Sequence, residues 1–147
     1  MSIKNLSSKF EEVQLVYRNK TRARDRPCIS SPGDAYKILL NIWDMDQIEL
    51  LEECKLLMLD NTLRLMSFAT VSKGGLSGTV VDPRIVFSMA LKRRANSIIL
   101  AHNHPSGDPA PSPEDIRVTR DLRRAGELLD IELLACSAER VEAAALA

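Results

Sequence analysis

The chain has 147 residues, 45% of them hydrophobic, with twenty Lys and Arg against twenty Asp and Glu. That size and apolar content suit one domain with its own core, and the zero formal charge argues against a strong global field toward nucleic acid or anionic membrane. Cys28, Cys54 and Cys136 lie far apart with no C-x-x-C pair, which argues against a disulfide framework or a cysteine-built zinc site.

Those cysteines are expected to be reduced thiols in a cytoplasmic protein. No apolar run approaches the ~20 residues of a membrane span, and the first residues lack a signal-peptide pattern. Charge is uneven along the chain: residues 1–26 are basic and 34–60 acidic, which reads as two solvated surfaces of opposite sign.

In chain order, residues 1–11 are polar. Val13 to Tyr17 alternates as a short strand does, and Arg18 to Pro27 reads as an exposed basic loop. Ser31-Pro32-Gly33-Asp34 has the cap, first-turn proline and capping-box acid of a helix start, followed by Ala35, Ile38, Leu39 and Ile42 at helical spacing. An acidic stretch leads into a strand at Cys54 to Leu59. The turn at Asp60-Asn61 and a hairpin partner at Leu63 to Val71 come next.

Gly74, Gly75 and Gly78 mark a bent loop. Asp82-Pro83 opens a second helix with Ile85, Val86, Met89 and Ala90 facing inward, and Lys92 to Arg94 suit its C-terminal dipole. Ser97 to Ala101 reads as a buried strand. Ser112-Pro113-Glu114-Asp115 starts a third helix reaching about Leu129, and Ile131 to Cys136 is a last strand. Strands and helices interleave, so the predicted class is α/β, a mixed sheet flanked by helices.

The chemistry concentrates in His102, His104 and Asp115. The two histidines, the only ones in the chain, occupy i and i+2, which a strand places on one face while Asn103 points away. Asp115 lies in the first turn of the third helix. Two imidazoles and one carboxylate leave a coordination position open, the arrangement of catalytic zinc. The plain alternatives are a pair of hydrogen-bonded surface imidazoles, and an S-x-x-D motif that only caps its helix. Pro105, Gly107, Pro109, Pro111 and Pro113 stiffen the loop between the two groups.

The string H-x-H, ten residues, D, with a Ser three before the Asp, resembles the JAMM (MPN-type) metalloprotease signature. The wider A-H-N-H-P-S-G-D-P-A-P-S-P-E-D narrows the resemblance to the bacterial RadC family, supported by G-T-V-V-D-P-R (Gly78 to Arg84), L-L-M-L-D-N (Leu56 to Asn61) and R-A-G-E-L-L-D-I-E-L-L (Arg124 to Leu134). It implies a JAMM/MPN (cytidine-deaminase-like) sandwich over 30–136. Residues 1–29 would form an N-terminal strand and basic loop, and 137–147 a divergent tail.

The resemblance further implies that His102, His104 and Asp115 are zinc ligands with water in the fourth place. Ser112 would help stabilise an oxyanion, and an upstream glutamate would act as general acid/base. Glu52 matches that glutamate best, with Glu53 and Glu49 as neighbouring candidates. The implied activity is hydrolysis of amide or isopeptide bonds in a peptide or protein substrate.

The sequence departs from the family after Leu134, where an Asp-His pair and a further strand give way to Ala135-Cys136-Ser137. That tail is a real divergence, a truncation or an expression remnant. Arg117, Arg120 and Arg124 share a helix face that could contact phosphate, so a DNA-associated module linked to DNA repair, binding DNA or cleaving its phosphodiesters, stands as the alternative function. The plain reading of that face is solvated charge. A non-haem iron oxygenase also uses two histidines and a carboxylate. Zinc deaminases are argued against by the missing H-x-E and P-C-x-x-C elements. The oligomeric state stays open.

Overall fold

Two unbroken apolar runs decide the architecture, because a strand hydrophobic on both faces needs a layer on each side. The computed structural model describes residues 16, 18, 20–74, 80–107 and 110–137, the last three by backbone alone. After a 3-10 turn at Ala23–Asp25 come α1 (Pro32–Ile42), β1 (Glu53–Leu59), β2 (Leu65–Lys73), α2 (Pro83–Arg93), β3 (Ser97–His102), α3 (Pro113–Leu129) and β4 (Glu132–Ser137). The strands form one mixed sheet in the order β2-β1-β3-β4. β1 is antiparallel to both β2 and β3, and β3 is parallel to β4 through the α3 crossover.

Every residue of β1 and β3 is buried. Cys54, Leu56, Met58, Ile98 and Leu100 pack with Val86, Phe87 and Ala90 of α2 and Leu122 of α3. Leu57, Leu59, Ile99 and Ala101 pack on the opposite face with Ala35 and Leu39 of α1, Ile29 and Trp43. The fold is therefore a mixed α/β sandwich, as predicted, with even-numbered positions of the two central strands facing α2 and α3 and odd-numbered ones facing α1.

Helix starts follow the capping chemistry. Ser31 and Ser112 each form a complete capping box with the acid three residues on, and the Asp82 side chain caps α2. Gly126, inside α3, sits where an added Cβ would lie 2.3 Å from the Ile131 carbonyl oxygen. Only glycine lets the chain after α3 fold back so closely.

The hairpin β1–β2 is not regular. Cys54 pairs with Ser72 but Lys55 with Thr70, so Val71 is the extra residue of a β-bulge. Glu53 lies buried on the α1 side, its carboxylate 2.7 Å from Lys55 Nζ and 2.8 Å from Lys73 Nζ. Lys55 also donates to Thr70 Oγ1 at 2.9 Å and stands 5.6 Å from the Trp43 ring centroid.

Several sequence expectations change. Most of the strand expected at Val13 to Tyr17, together with Gly75, Gly78 and residues 138–147, lies outside the described residues, while Val16 is exposed and in no strand. The basic loop contains a 3-10 turn, and Arg26 is buried against Asp60 at 3.3 Å rather than solvated.

β1 starts at Glu53 and β2 at Leu65. Leu63 has φ 58° and belongs to the turn. On α2, Ile85 is 49% exposed and Phe87 is buried instead, because the inward stripe centres on Val86 and Ala90, one turn apart. Cys28 and Cys54 are free thiols. Among the described residues, no helix is long and apolar enough to cross a membrane.

Candidate metal centre

The carboxyl end of β3 carries the site. His102 closes the strand on the side that Ile98 and Leu100 present to α2 and α3. His104 follows after one intervening residue. The chain then reverses, with the Gly107 amide donating to the His104 carbonyl at 2.9 Å and Gly107 at φ 73°, a left-handed value open to glycine. This turn keeps the His104 ring beside that of His102: their Nε2 atoms are 2.9 Å apart.

Asp115 arrives as the third residue of α3, and its two carboxylate oxygens have different surroundings. Oδ2 accepts from the Ser112 amide at 2.8 Å and the Ser112 hydroxyl at 2.6 Å, while Ser112 Oγ accepts from the Asp115 amide at 3.1 Å. Oδ1 faces His102 Nε2 at 3.3 Å. The cap thus orients the carboxylate so that one oxygen points at the imidazoles.

Ligand atoms of all three side chains lie within 4.8 Å of one another. Atoms bound at about 2.0–2.1 Å to a tetrahedral ion stand roughly 3.3–3.5 Å apart. The His102, His104 and Asp115 set therefore fits one metal ion.

Electrostatics favour the ligating protonation states. Burial pushes the His102 pKa down, against the opposing pull of the Asp115 carboxylate, and so favours the neutral imidazole. Burial of Asp115 would raise its pKa. The Ser112 hydroxyl and amide and the two histidines outweigh that effect, and the carboxyl ends below its usual range.

The three glutamates separate by strand parity. Cys54 pairs with His102 in the antiparallel β1–β3 ladder, and the Asn103 amide donates to the Glu53 carbonyl at 3.4 Å. Continuing that register by two residues sets Glu52 opposite His104. Glu52 lines a small cavity of about 20 Å³ with His102, Asp115 and Glu114, walled by Val81, Leu100 and Val118. That volume is roughly the space one water needs.

The Glu52 carboxylate has no hydrogen-bond or ion-pair partner among the described residues. Glu53 has the opposite parity and is bound to its two lysines on the α1 face. Glu49 is exposed in the turns between α1 and β1. Glu114, which sequence reasoning passed over, lines the cavity with its carboxylate held by Arg117.

Asn103 points away from the histidines, as alternation predicts, and its contacts there bear on the site. Its Nδ2 donates to the carbonyls of Ile48 at 2.5 Å and Leu51 at 2.8 Å, and its Oδ1 accepts from the Glu53 amide at 2.7 Å. It therefore grips the backbone on both sides of Glu52. The Gly74 amide holds the Glu52 carbonyl at 2.8 Å. Nothing in the sequence signals a partner so remote.

On the outer side of His102 and Asp115, α3 walls a cleft of about 380 Å³. Arg120, Arg123 and Arg124 line it. Arg117, expected with Arg120 and Arg124, turns away to Glu114 at 2.5 Å and Asp121 at 3.5 Å. Spacing of i, i+3 and i+4 would have selected Arg123 instead.

Residues 29–137 match the RadC-like JAB domain family. The chain is 46% identical over 109 residues to a UPF0758 protein of Shouchella clausii, an alignment covering 74% of this chain and 46% of that protein. It is 43% identical over 108 residues to one from Caldanaerobacter subterraneus, covering 72% and 44%, and 39% identical over 123 residues to one from Clostridium perfringens, covering 82% and 52%. The chain spans about half the length of these relatives. With the family's domain matched across its whole described sheet, the chain belongs to the RadC family.

Proposed function

We propose that this domain is a zinc-dependent hydrolase of amide or isopeptide bonds. The observation that carries the reading is the convergence of His102 Nε2, His104 Nε2 and Asp115 Oδ1 beside the Glu52 carboxylate, which has no hydrogen-bond or ion-pair partner among the described residues. A divalent ion held by the three ligands supplies Lewis acidity, which polarises a carbonyl and acidifies water.

The chain's own groups do the rest. Glu52 accepts a proton from the attacking water and returns it to the leaving amine, a step that needs a carboxylate unengaged by other partners. Ser112, whose hydroxyl now donates to Asp115 Oδ2, turns that proton toward the developing oxyanion. Loss of one such donor typically costs about 3–4 kcal/mol of barrier. The hydrophobic walls of the Glu52 cavity, Val81, Leu100 and Val118, limit competing water.

Metal content and turnover of the full chain, purified without chelator, test the reading. About one equivalent of zinc is expected in the wild type and none in His104→Ala. Glu52→Gln should keep the metal and lose hydrolysis of peptide and isopeptide-linked lysine probes. Full activity in Glu52→Gln would mean a different base. Iron in place of zinc would favour the oxygenase chemistry of the same triad, and a wild type that binds no metal would end the hydrolase reading.

A further inference from the structure

The two flanks of the candidate metal centre carry opposite charge. On the inner side, Glu52, Glu114 and Asp115 line the small cavity. On the outer side, Arg120, Arg123 and Arg124 line the larger cleft, where they outnumber the Glu127 carboxylate and that of Asp115, which borders both spaces. None of these three guanidiniums has an ion-pair partner among the described residues, although Arg117 on the same helix has two. Pro111, Ile116 and Thr119 give the cleft an apolar floor.

A duplex or single strand of nucleic acid carries charge at every nucleotide, so crossing this site would set phosphates against the inner carboxylates as well as on the arginines. A polypeptide can place a neutral amide at the metal ligands and a carboxylate only where the arginines stand. The apolar floor suits side-chain methylenes, and guanidinium forks match carboxylates bidentately. We propose that this cleft selects a polypeptide substrate by an acidic side chain near the bond to be cleaved.

The helix sets the spacing. Arg120, Arg123 and Arg124 lie five, eight and nine residues beyond Asp115, or about 7–14 Å along the axis at a rise of about 1.5 Å per residue. An extended peptide advances about 3.3 Å per residue, which places the Asp or Glu about two to four residues from the scissile amide. The word substrate rests on the hydrolase reading above; the binding preference does not.

Fluorescence anisotropy on the full chain at low salt tests the preference with labelled nine-residue peptides that differ only in Glu, Gln or Lys at those positions, and with a 12-nucleotide oligothymidylate. The Glu peptide should bind about tenfold more tightly than the Gln peptide, with the margin shrinking as salt rises. In Arg120→Gln/Arg123→Gln/Arg124→Gln the margin should fall to within about twofold while metal content is unchanged. Arg123→Glu should shift the preference toward the Lys peptide.

Equal binding of the Glu and Gln peptides would overturn the proposal, as would a margin that survives the triple substitution. Oligothymidylate binding that exceeds the Glu peptide and is lost with the arginines would assign the cleft to nucleic acid instead. A peptide library from a protein digest supplies the second arm. Cleavage enriched for Asp or Glu at those positions supports both readings, and cleavage without enrichment overturns this one alone. No cleavage with the binding margin intact overturns the hydrolase reading alone.

Discussion

Asn103 stands between the two histidines, yet its hydrogen bonds run to a segment about fifty residues earlier in the chain. Replacing it with alanine leaves two carbonyls and one amide without their buried partner, at a cost of about 1–3 kcal/mol in stability. Because those groups flank Glu52, the proposed hydrolase reading expects Asn103→Ala to lower turnover tenfold or more with metal content unchanged. Thermal melts, metal analysis and a kinetic assay on one preparation check this; unchanged turnover would show that Glu52 needs no such grip. Alternation along the strand made the outward turn of Asn103 legible in the sequence. The family resemblance favoured Glu52 over Glu53 there, but the residues alone could not separate them, because parity has meaning only once Cys54 is known to pair with His102.

At the scale of elements, helix starts were readable because capping is local chemistry: Ser31 with Asp34, Asp82 with Pro83, and Ser112 with Asp115 all lie within three residues. The inner face of α2 was read only in part, with Phe87 taking the place assigned to Ile85, since several apolar residues compete for the stripe. Gly126 was equally opaque. Helix propensity counts it as a weakness of about 1 kcal/mol, whereas the fold uses the space its missing side chain leaves against Ile131. Gly126→Ala is expected to destabilise by about 1–3 kcal/mol net of any propensity gain, measured by denaturant unfolding. A stabilised variant would mean that the turn into β4 shifts freely.

For the whole molecule, the charge asymmetry read as two solvated surfaces is partly internal. Arg26 from the basic stretch reaches Asp60 from the acidic one, and Glu53 is enclosed by Lys55 and Lys73. Burial would raise the Glu53 pKa, but hydrogen bonds and charge from the two lysines win, leaving it below its ordinary value of 4.5. A carboxyl depressed in the folded state contributes stability above its unfolded pKa and loses it as pH falls through the folded one. Wild type should therefore be more stable than Glu53→Gln at pH 7, with the gap closing progressively below about pH 4.5. Parallel melts of the two proteins from pH 7 to 3 measure it, and a gap that does not change with pH would assign the effect to packing.

The surplus Val71 has an electrostatic consequence for the histidines. Thr70 and Lys73 are three positions apart and would face opposite sides of a regular strand, yet both serve the Glu53–Lys55 pair because the bulge resets the alternation between them. Were Val71 instead paired with Cys54 in an unbroken ladder, Lys73 would stand opposite Glu52, where its ammonium would repel any cation gripped by His102. By bulging out one surplus residue, the edge strand thus keeps a positive charge on the far side of the sheet from the candidate ligands.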